Sequence, residues 1–316
     1  MTKRLLSAYS SEIAALAGAE LKQAILASEG RIIVGETVVT AAPLLAGVSN
    51  AEVMRAFAAD MVILNEYDVN TRFVSGLENC SNPIAYLKEL TSMPLGINLE
   101  PVDAQVGCAS AMEAMGTVPG LEELRLMSDL ITLPPGRQVS RETLQAAEKQ
   151  GADFICLTGN PGTGVSNSSL KAAVKLAKQY FSGLVFVGKM HAAGLAEKVV
   201  DEQAVLDFVD AGADVILLPA AGTVPGVGEA ELTALVRKIK AKGALTMAVV
   251  GTSQESADAQ TIREIALANK RCGFDIHHLG DGSFGRMPDP ENLLTLSLAI
   301  RGKRHTYFRM SQSLRR

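Results

Sequence analysis

A lone lysine ends the apolar run Leu184 to Lys189 (LVFVGK), and a histidine follows two residues later. An amine at the end of a buried strand must be paired, reach solvent or be used. Desolvated, Lys189 can form a Schiff base with a carbonyl substrate or shuttle a proton, and His191, on the same face, can share that work. The plainer uses are an ion pair to Glu66 or Glu100, or attraction of an anionic substrate. Glu66 and Glu100 complete the catalytic candidates, as acid/base groups or metal ligands. Asp68, Glu100 and Asp281 are the candidate metal ligands, with Glu66 and His191 as further donors. Carboxylates from separate strands suit Mg or Mn, and added histidine moves the choice toward Zn, Fe or Mn. No two of these residues show a diagnostic ligand spacing, so a network of salt bridges across a rim is the competing reading.

Three loops have the composition of anion sites. Gly159 to Asn167 (GNPGTGVSN), with Gly162 and Gly164, leads into a predicted helix whose free backbone donors and dipole attract phosphate or carboxylate. Gly251, Thr252 and Ser253, and then Gly280, Gly282 and Ser283, occupy the places where barrel enzymes hold phosphate. Asp281 opposes a bare phosphate there, and glycine-rich turns also arise simply where positive φ is needed. Gly280 to Gly285 reads G-x-G-x-x-G after a strand. A dinucleotide half-domain needs a helix, a second strand and an acid about 20 residues on, and one helical segment and a basic tail follow here.

The elements that position these residues alternate with a clear rhythm. Strands are expected at 31–39, 61–66, 95–100, 153–158, 184–189, 214–219, 245–250 and 275–279. Helical patterns follow at 50–59, 81–90, 141–150, 168–180, 202–211, 229–242, 257–270 and 288–300. Short, near-continuous apolar strands each followed by a helix imply a parallel sheet covered on both faces, and eight such units predict a (β/α)8 TIM barrel. An open doubly wound sheet is the alternative. One domain is expected, with N-terminal helices over 1–30, the barrel over 31–300 and a basic C-terminal tail over 301–316. The insertion Asp103 to Val139 is placed over the barrel mouth. His277 and His278 cannot both enter the barrel from a regular strand, so one must face a helix.

Composition narrows the function classes. The chain has 316 residues, 47% of them hydrophobic and 20% charged, with a net charge of -4. That charge argues against a nucleic-acid partner. No run approaches the roughly 18 apolar residues of a membrane span, and the first 20 residues make a poor signal peptide. Four scattered cysteines form no C-x-x-C pair and suit a reducing compartment, so a cytoplasmic protein is expected. The tail mixes six basic residues with Tyr307, Phe308, Met310 and Leu314, which favours docking on the barrel or on a neighbouring subunit over a nucleic-acid arm. A homo-oligomer is expected.

Several segments resemble the BtpA-type family of TIM-barrel proteins. They are Asn65-Glu66-Tyr67-Asp68 with Phe73, Leu95-Gly96-Ile97-Asn98, and Gly151-Ala152-Asp153-Phe154-Ile155 with Thr163-Gly164. Lys189 and His191, Ala213-Asp214-Val215-Ile216 with Gly222-Thr223, and Val250-Gly251-Thr252 complete the set. The family's proline-rich opening is absent, and the segment after Gly280 has no counterpart, so a sister family is implied. The resemblance implies the barrel and no particular reaction. The expectation is a lyase, aldolase or isomerase acting on a small anionic metabolite, a phosphorylated sugar or a keto acid. Its cofactor is unknown, with a divalent metal (Mg, Mn or Zn) the candidate. The alternatives are a non-catalytic assembly or ligand-binding barrel, whose mouth would be filled by paired rim residues, and a metal-dependent lyase of the phosphonomutase kind.

Overall fold

The computed structural model describes residues 3–102, 133–160, 163–191, 197–251 and 253–316. Eight parallel strands close into a barrel in sequence order: β1 (Ile32–Val38), β2 (Met61–Asn65), β3 (Leu95–Leu99), β4 (Phe154–Leu157), β5 (Leu184–Val187), β6 (Val215–Pro219), β7 (Leu245–Val250) and β8 (Ile276–Leu279). Closure is made by β8 pairing with β1, with Val34 beside His278. The expected (β/α)8 barrel is therefore the fold, and the open sheet is excluded.

Among the described residues the helices are α1 (Ser10–Ala14), α2 (Gly18–Leu26), α3 (Asn50–Ala56), α4 (Pro83–Thr91), α5 (Arg141–Gln150), α6 (Asn167–Tyr180), α7 (Glu202–Asp210), α8 (Glu229–Ala241), α9 (Ala259–Cys272) and α10 (Pro290–Ser311). Their starts follow from local chemistry. Ser49, Ser140 and Ser166 accept the backbone N–H three residues on, and Asp201 and Asp258 do the same, which satisfies donors the helix cannot. Gly151 and Gly273 end α5 and α9 in left-handed conformation, where a Cβ would be strained.

Alternation along the strands separates two cores. Ile33, Val62, Leu64, Ile97, Ile155, Val185, Val187 and Ile216 face the helices. Ile32, Val34, Met61, Ile63, Phe154, Cys156, Phe186, Leu217, Met247 and Ile276 fill the bore. Phe154 and Phe186 stack in it with centroids 4.6 Å apart. Leu5, Leu6, Ile13, Leu21 and Ile25 pack into the same inner cluster. The N-terminal helices thus plug the amino-terminal end of the barrel, leaving the carboxyl ends of the strands for chemistry.

The basic tail docks on its own molecule. α10 runs through Gly302, whose φ of 69° breaks the helical path, and carries Arg301 and Arg309 into the interior. Both guanidiniums close on Asp60, Arg301 at 2.5 Å and Arg309 at 2.8 Å. Arg301 also donates to the Ala58 carbonyl and Arg309 to the Leu5 carbonyl. Gln312 donates to the Ala8 carbonyl at 2.7 Å. A buried acid is tolerated only when paired and hydrogen-bonded in this way. Of the insertion expected over the mouth, residues 103–132 lie outside the described residues.

Candidate functional site

The upper bore holds a chain of hydrogen bonds whose members come from β1, β2, β3 and β8. Glu36, Asn98 and His278 point inward by strand parity, and all are buried. Asn98 Nδ2 donates to Glu36 Oε1 at 2.6 Å and to Asn65 Oδ1 at 3.0 Å. Asn65 Nδ2 donates in turn to Asp281 Oδ2 at 2.8 Å. At the other end His278 Nε2 lies 2.9 Å from Glu36 Oε2. The order is therefore Asp281, Asn65, Asn98, Glu36, His278, with a carboxylate at the end of the amide pair and another beside the imidazole.

The carboxylates fix the polarity of this chain. A carboxylate only accepts, so each amide must turn its nitrogen toward one, and His278 must present Nε2–H to Glu36. In the neutral ring Nδ1 is then the free lone pair, an arrangement that orients an imidazole to take a proton. His278 Nδ1, Asn98 Oδ1 and Thr158 Oγ1 are buried without a hydrogen-bond partner among the described residues. Above the ring, a Cβ at Gly280 would stand 3.7 Å from His278 Cε1. Burial and the nearby Glu36 charge push the Asp281 carboxyl up to about 6, against the Asn65 hydrogen bond, Arg286 and His278, which lower it. Burial and Glu36 also raise the Cys156 thiol, which lies below in the bore. His277 behaves as parity requires. It faces away, Nε2 lies 3.1 Å from the Gly30 carbonyl, and burial lowers it to about 4.

Lys189 lies elsewhere. Leu184 and Phe186 face the bore and Met190 packs on its lining, so Lys189 leaves on the outer side, toward α6. There its buried ammonium pairs with Glu197, a residue of the following loop, rather than with Glu66 or Glu100 as expected. Lys189 Nζ also lies 3.4 Å from the Val165 carbonyl. The Glu197 carboxylate accepts the Asn167 N–H at 3.1 Å, so the α6 N-terminus already holds an anion of the protein's own. His191 is half-buried beside this group, and burial, then Lys189, lowers its basicity while Glu100 raises it.

Glu100 is buried at the rim and takes three donors: Asn160 N at 2.9 Å, Asn160 Nδ2 at 2.8 Å and Arg137 at 3.2 Å. These bonds use both of its oxygens and brace the β3 and β4 ends. Glu66 has a φ of 61°, which Asn65 Oδ1 supports by accepting the Glu66 N–H at 2.9 Å. This left-handed turn sends the Glu66 carboxylate away from the bore, to the Thr40 hydroxyl at 2.7 Å. Asp68 caps its own turn through Asn70 N at 2.7 Å and Thr71 N at 3.1 Å. Thus Asp68, Glu100 and Asp281 each have separate partners, and among the described residues no three His, Cys, Asp or Glu side chains form a metal-binding group. Asp68, Glu100 and Asp281 do not converge as the expected metal set.

The anion loops also look different in three dimensions. Gly162 and Thr252 lie outside the described residues. Gly164 is buried with a φ of 70° in the turn leading to Ser166, the α6 cap. Gly251 makes room for Met190, whose sulfur would stand 2.8 Å from a Cβ there. Ser253 is exposed in left-handed conformation. Gly282 is pressed on Glu255, whose Oε1 would stand 2.0 Å from an added Cβ. A phosphate between the β7 and β8 loops would therefore meet Glu255 and Asp281. The Ser283 hydroxyl is buried without a partner among the described residues.

The chain belongs to the family described as Domain of unknown function (DUF7916), whose model matches residues 6–316. No curated protein matches the sequence. Among solved structures it is similar to a 2,3-dimethylmalate lyase described as a PEP mutase/isocitrate lyase superfamily member, at 12% identity and a TM-score of 0.48, over 82% of this chain and 76% of that one. A phosphonopyruvate hydrolase complexed with oxalate and Mg++ is similar at 14% identity and a TM-score of 0.46, over 86% and 80% of the two chains. A thiamine phosphate pyrophosphorylase from Pyrococcus furiosus is similar at 11% identity and a TM-score of 0.47, over 87% and 97%. Likeness at this level says nothing about chemistry.

Glu36, Asn98, Thr158 and His278 fall within the expected strands 31–39, 95–100, 153–158 and 275–279 but are not among the catalytic candidates, and the partners Asn65 and Glu197 are not foreseen either. For Glu36, Asn98 and His278 the available signal was parity: each is a polar residue on the inward register of an apolar strand.

Proposed function

We propose that the protein is an acid–base enzyme of the lyase or isomerase class, acting on a small, oxygen-rich anionic metabolite at the carboxyl-terminal mouth of the barrel. The observation that carries this reading is the Glu36-oriented His278, whose Nδ1 is buried without a partner among the described residues. His278 takes and returns a proton on substrate, and Glu36 holds the ring and stabilises its charged form. Asp281, held at about 6, is poised to exchange a proton near neutrality. Arg286, exposed on the β8 loop, favours an anionic end there, whereas Lys189 and Arg137 are already paired with Glu197 and Glu100. In this reading Lys189 braces the α6 side of the rim through Glu197 and forms no Schiff base. A BtpA-type kinship is part of the proposal and adds no residue role.

The rim pairs Glu100–Arg137 and Lys189–Glu197 are what a non-catalytic barrel would show. The unpaired polar atoms in the bore favour an occupant of some kind, and the imidazole–carboxylate pair favours turnover. The test is a screen of sugar phosphates and hydroxy acids for cleavage or isomerisation, followed by His278→Gln and Glu36→Gln. Loss of about 10²–10⁴-fold in kcat, with folding intact, is expected for His278→Gln. Undiminished turnover in both variants refutes the assignment.

A further inference from the structure

The bore is supplied with acceptors. Asn98 commits both bonds of its Nδ2 to Glu36 and Asn65, so the oxygen is the only part of the amide left. His278 gives Nε2 to Glu36, so in its neutral form Nδ1 offers a lone pair. Both groups flank the same carboxylate, one on each oxygen. Thr158, also buried, adds a hydroxyl that can accept or donate. Asn98 is 5%, Thr158 2% and His278 2% exposed. A buried polar atom without a partner is costly, and by strand parity these three enter the bore from β3, the end of β4 and β8, whereas His277 Nδ1, also without a partner among the described residues, faces the helices.

Resting on the reading of the mouth as an active site, we propose that the bore is the seat of a polyhydroxylated ligand, a sugar-like chain with at least two free hydroxyls. One hydroxyl donates to Asn98 Oδ1 and another to His278 Nδ1, with Thr158 Oγ1 as a third contact. This chooses between the two substrate types the sequence allows. A hydroxyl-free oxo acid has no donors to offer, and its carboxylate in the bore would face Glu36. Hydroxyls meet both requirements, because each brings a proton to an acceptor and carries no charge into a space already bordered by the Glu36 and Asp281 carboxyls. A site built to bond hydroxyls also rejects analogues lacking them, since its own buried acceptors are then left unpaired.

The test uses the full chain labelled with 15N-histidine, titrated with sorbitol 6-phosphate and ribitol 5-phosphate. Hexyl and pentyl phosphate serve as matched probes without hydroxyls, and oxalate as an anion alone. The His278 Nδ1 resonance, assigned with His278→Gln, reports on the bore, and the His277 resonance, on the far side of the sheet, reports on the fold. At least one alditol phosphate is expected to shift Nδ1 saturably and to bind about 100-fold more tightly than the alkyl phosphate of its length. Thr158→Val and Asn98→Ser should each weaken the alditol about tenfold, with His277 unmoved. The proposal is overturned if the alkyl phosphates bind as tightly as the alditols. It is also overturned if oxalate alone moves Nδ1, or if neither variant weakens binding. Turnover of a hydroxyl-free oxo acid that depends on His278 would sink this inference and leave the acid–base reading standing. Alditol binding with no effect of His278→Gln on turnover would do the reverse.

Discussion

Replacing Asp281 with asparagine should stabilise the protein, and only above the pH at which the native carboxyl ionises. In the fold this group is raised from 3.8 to about 6, first by burial and then by Glu36. The folded protein therefore binds the proton more tightly than the unfolded chain does. The resulting stabilisation is fully present below pH 3.8 and is lost as pH rises through about 6. Two pH units of displacement correspond to about 3 kcal/mol at most. Asp281→Asn keeps an oxygen to accept from Asn65 Nδ2 and removes the repulsion by Glu36. Urea unfolding of both proteins between pH 3.5 and 8 checks the result. The variant should be more stable by up to about 3 kcal/mol at pH 8, with the difference closing toward zero near pH 3.5. A destabilised variant at pH 8, or a difference that does not change with pH, refutes the argument. If Asp281 exchanges a proton during turnover, the same variant loses activity as it gains stability, as groups strained at a site commonly do.

Two further outcomes test the packing that holds the site. His277 is depressed from 6.5 to about 4 by burial, so its stabilising contribution is present above pH 6.5 and is lost as pH falls through 4. His277→Gln should flatten the acid limb of stability there by up to about 3 kcal/mol. Asp60→Asn leaves Arg301 and Arg309 buried against a neutral partner and should cost about 3–5 kcal/mol in urea unfolding, whereas a loss below about 1 kcal/mol would mean that the tail is not anchored through this acid.

The elements were legible because their signals are local. Strands 4 to 6 residues long such as Phe154–Leu157 and Leu245–Val250 are recognisable by apolar content alone, and caps such as Ser166 and Asp258 mark the helices that follow. Parity also requires that His277 and His278 face opposite sides of the sheet, and the contacts show that His277 is the one facing the helices. What failed was partnership. Lys189 was read by its position at a strand end, but it lies on the outer face, and its partner Glu197 comes from a loop eight residues on. Glu66 was counted in the second strand, yet a single left-handed residue after Asn65 turned its carboxylate toward Thr40.

Alternating apolar strands and helices determined by themselves a parallel sheet covered on both faces, with eight units pointing to a barrel, and the pairing of β8 with β1 then excluded the open sheet. Period and propensity are properties of neighbouring residues, so one sequence suffices to read them. Only the closed barrel decided that Asp281, Asn65, Asn98, Glu36 and His278 join into one chain. Its members lie up to 245 residues apart in sequence, and β8 must pair with β1, setting Val34 beside His278, before the imidazole can reach Glu36. Register and closure are global quantities, fixed by packing across the bore. That is why the glycines of 280–285, which suggest a phosphate loop in isolation, frame an acid and an imidazole in the folded protein.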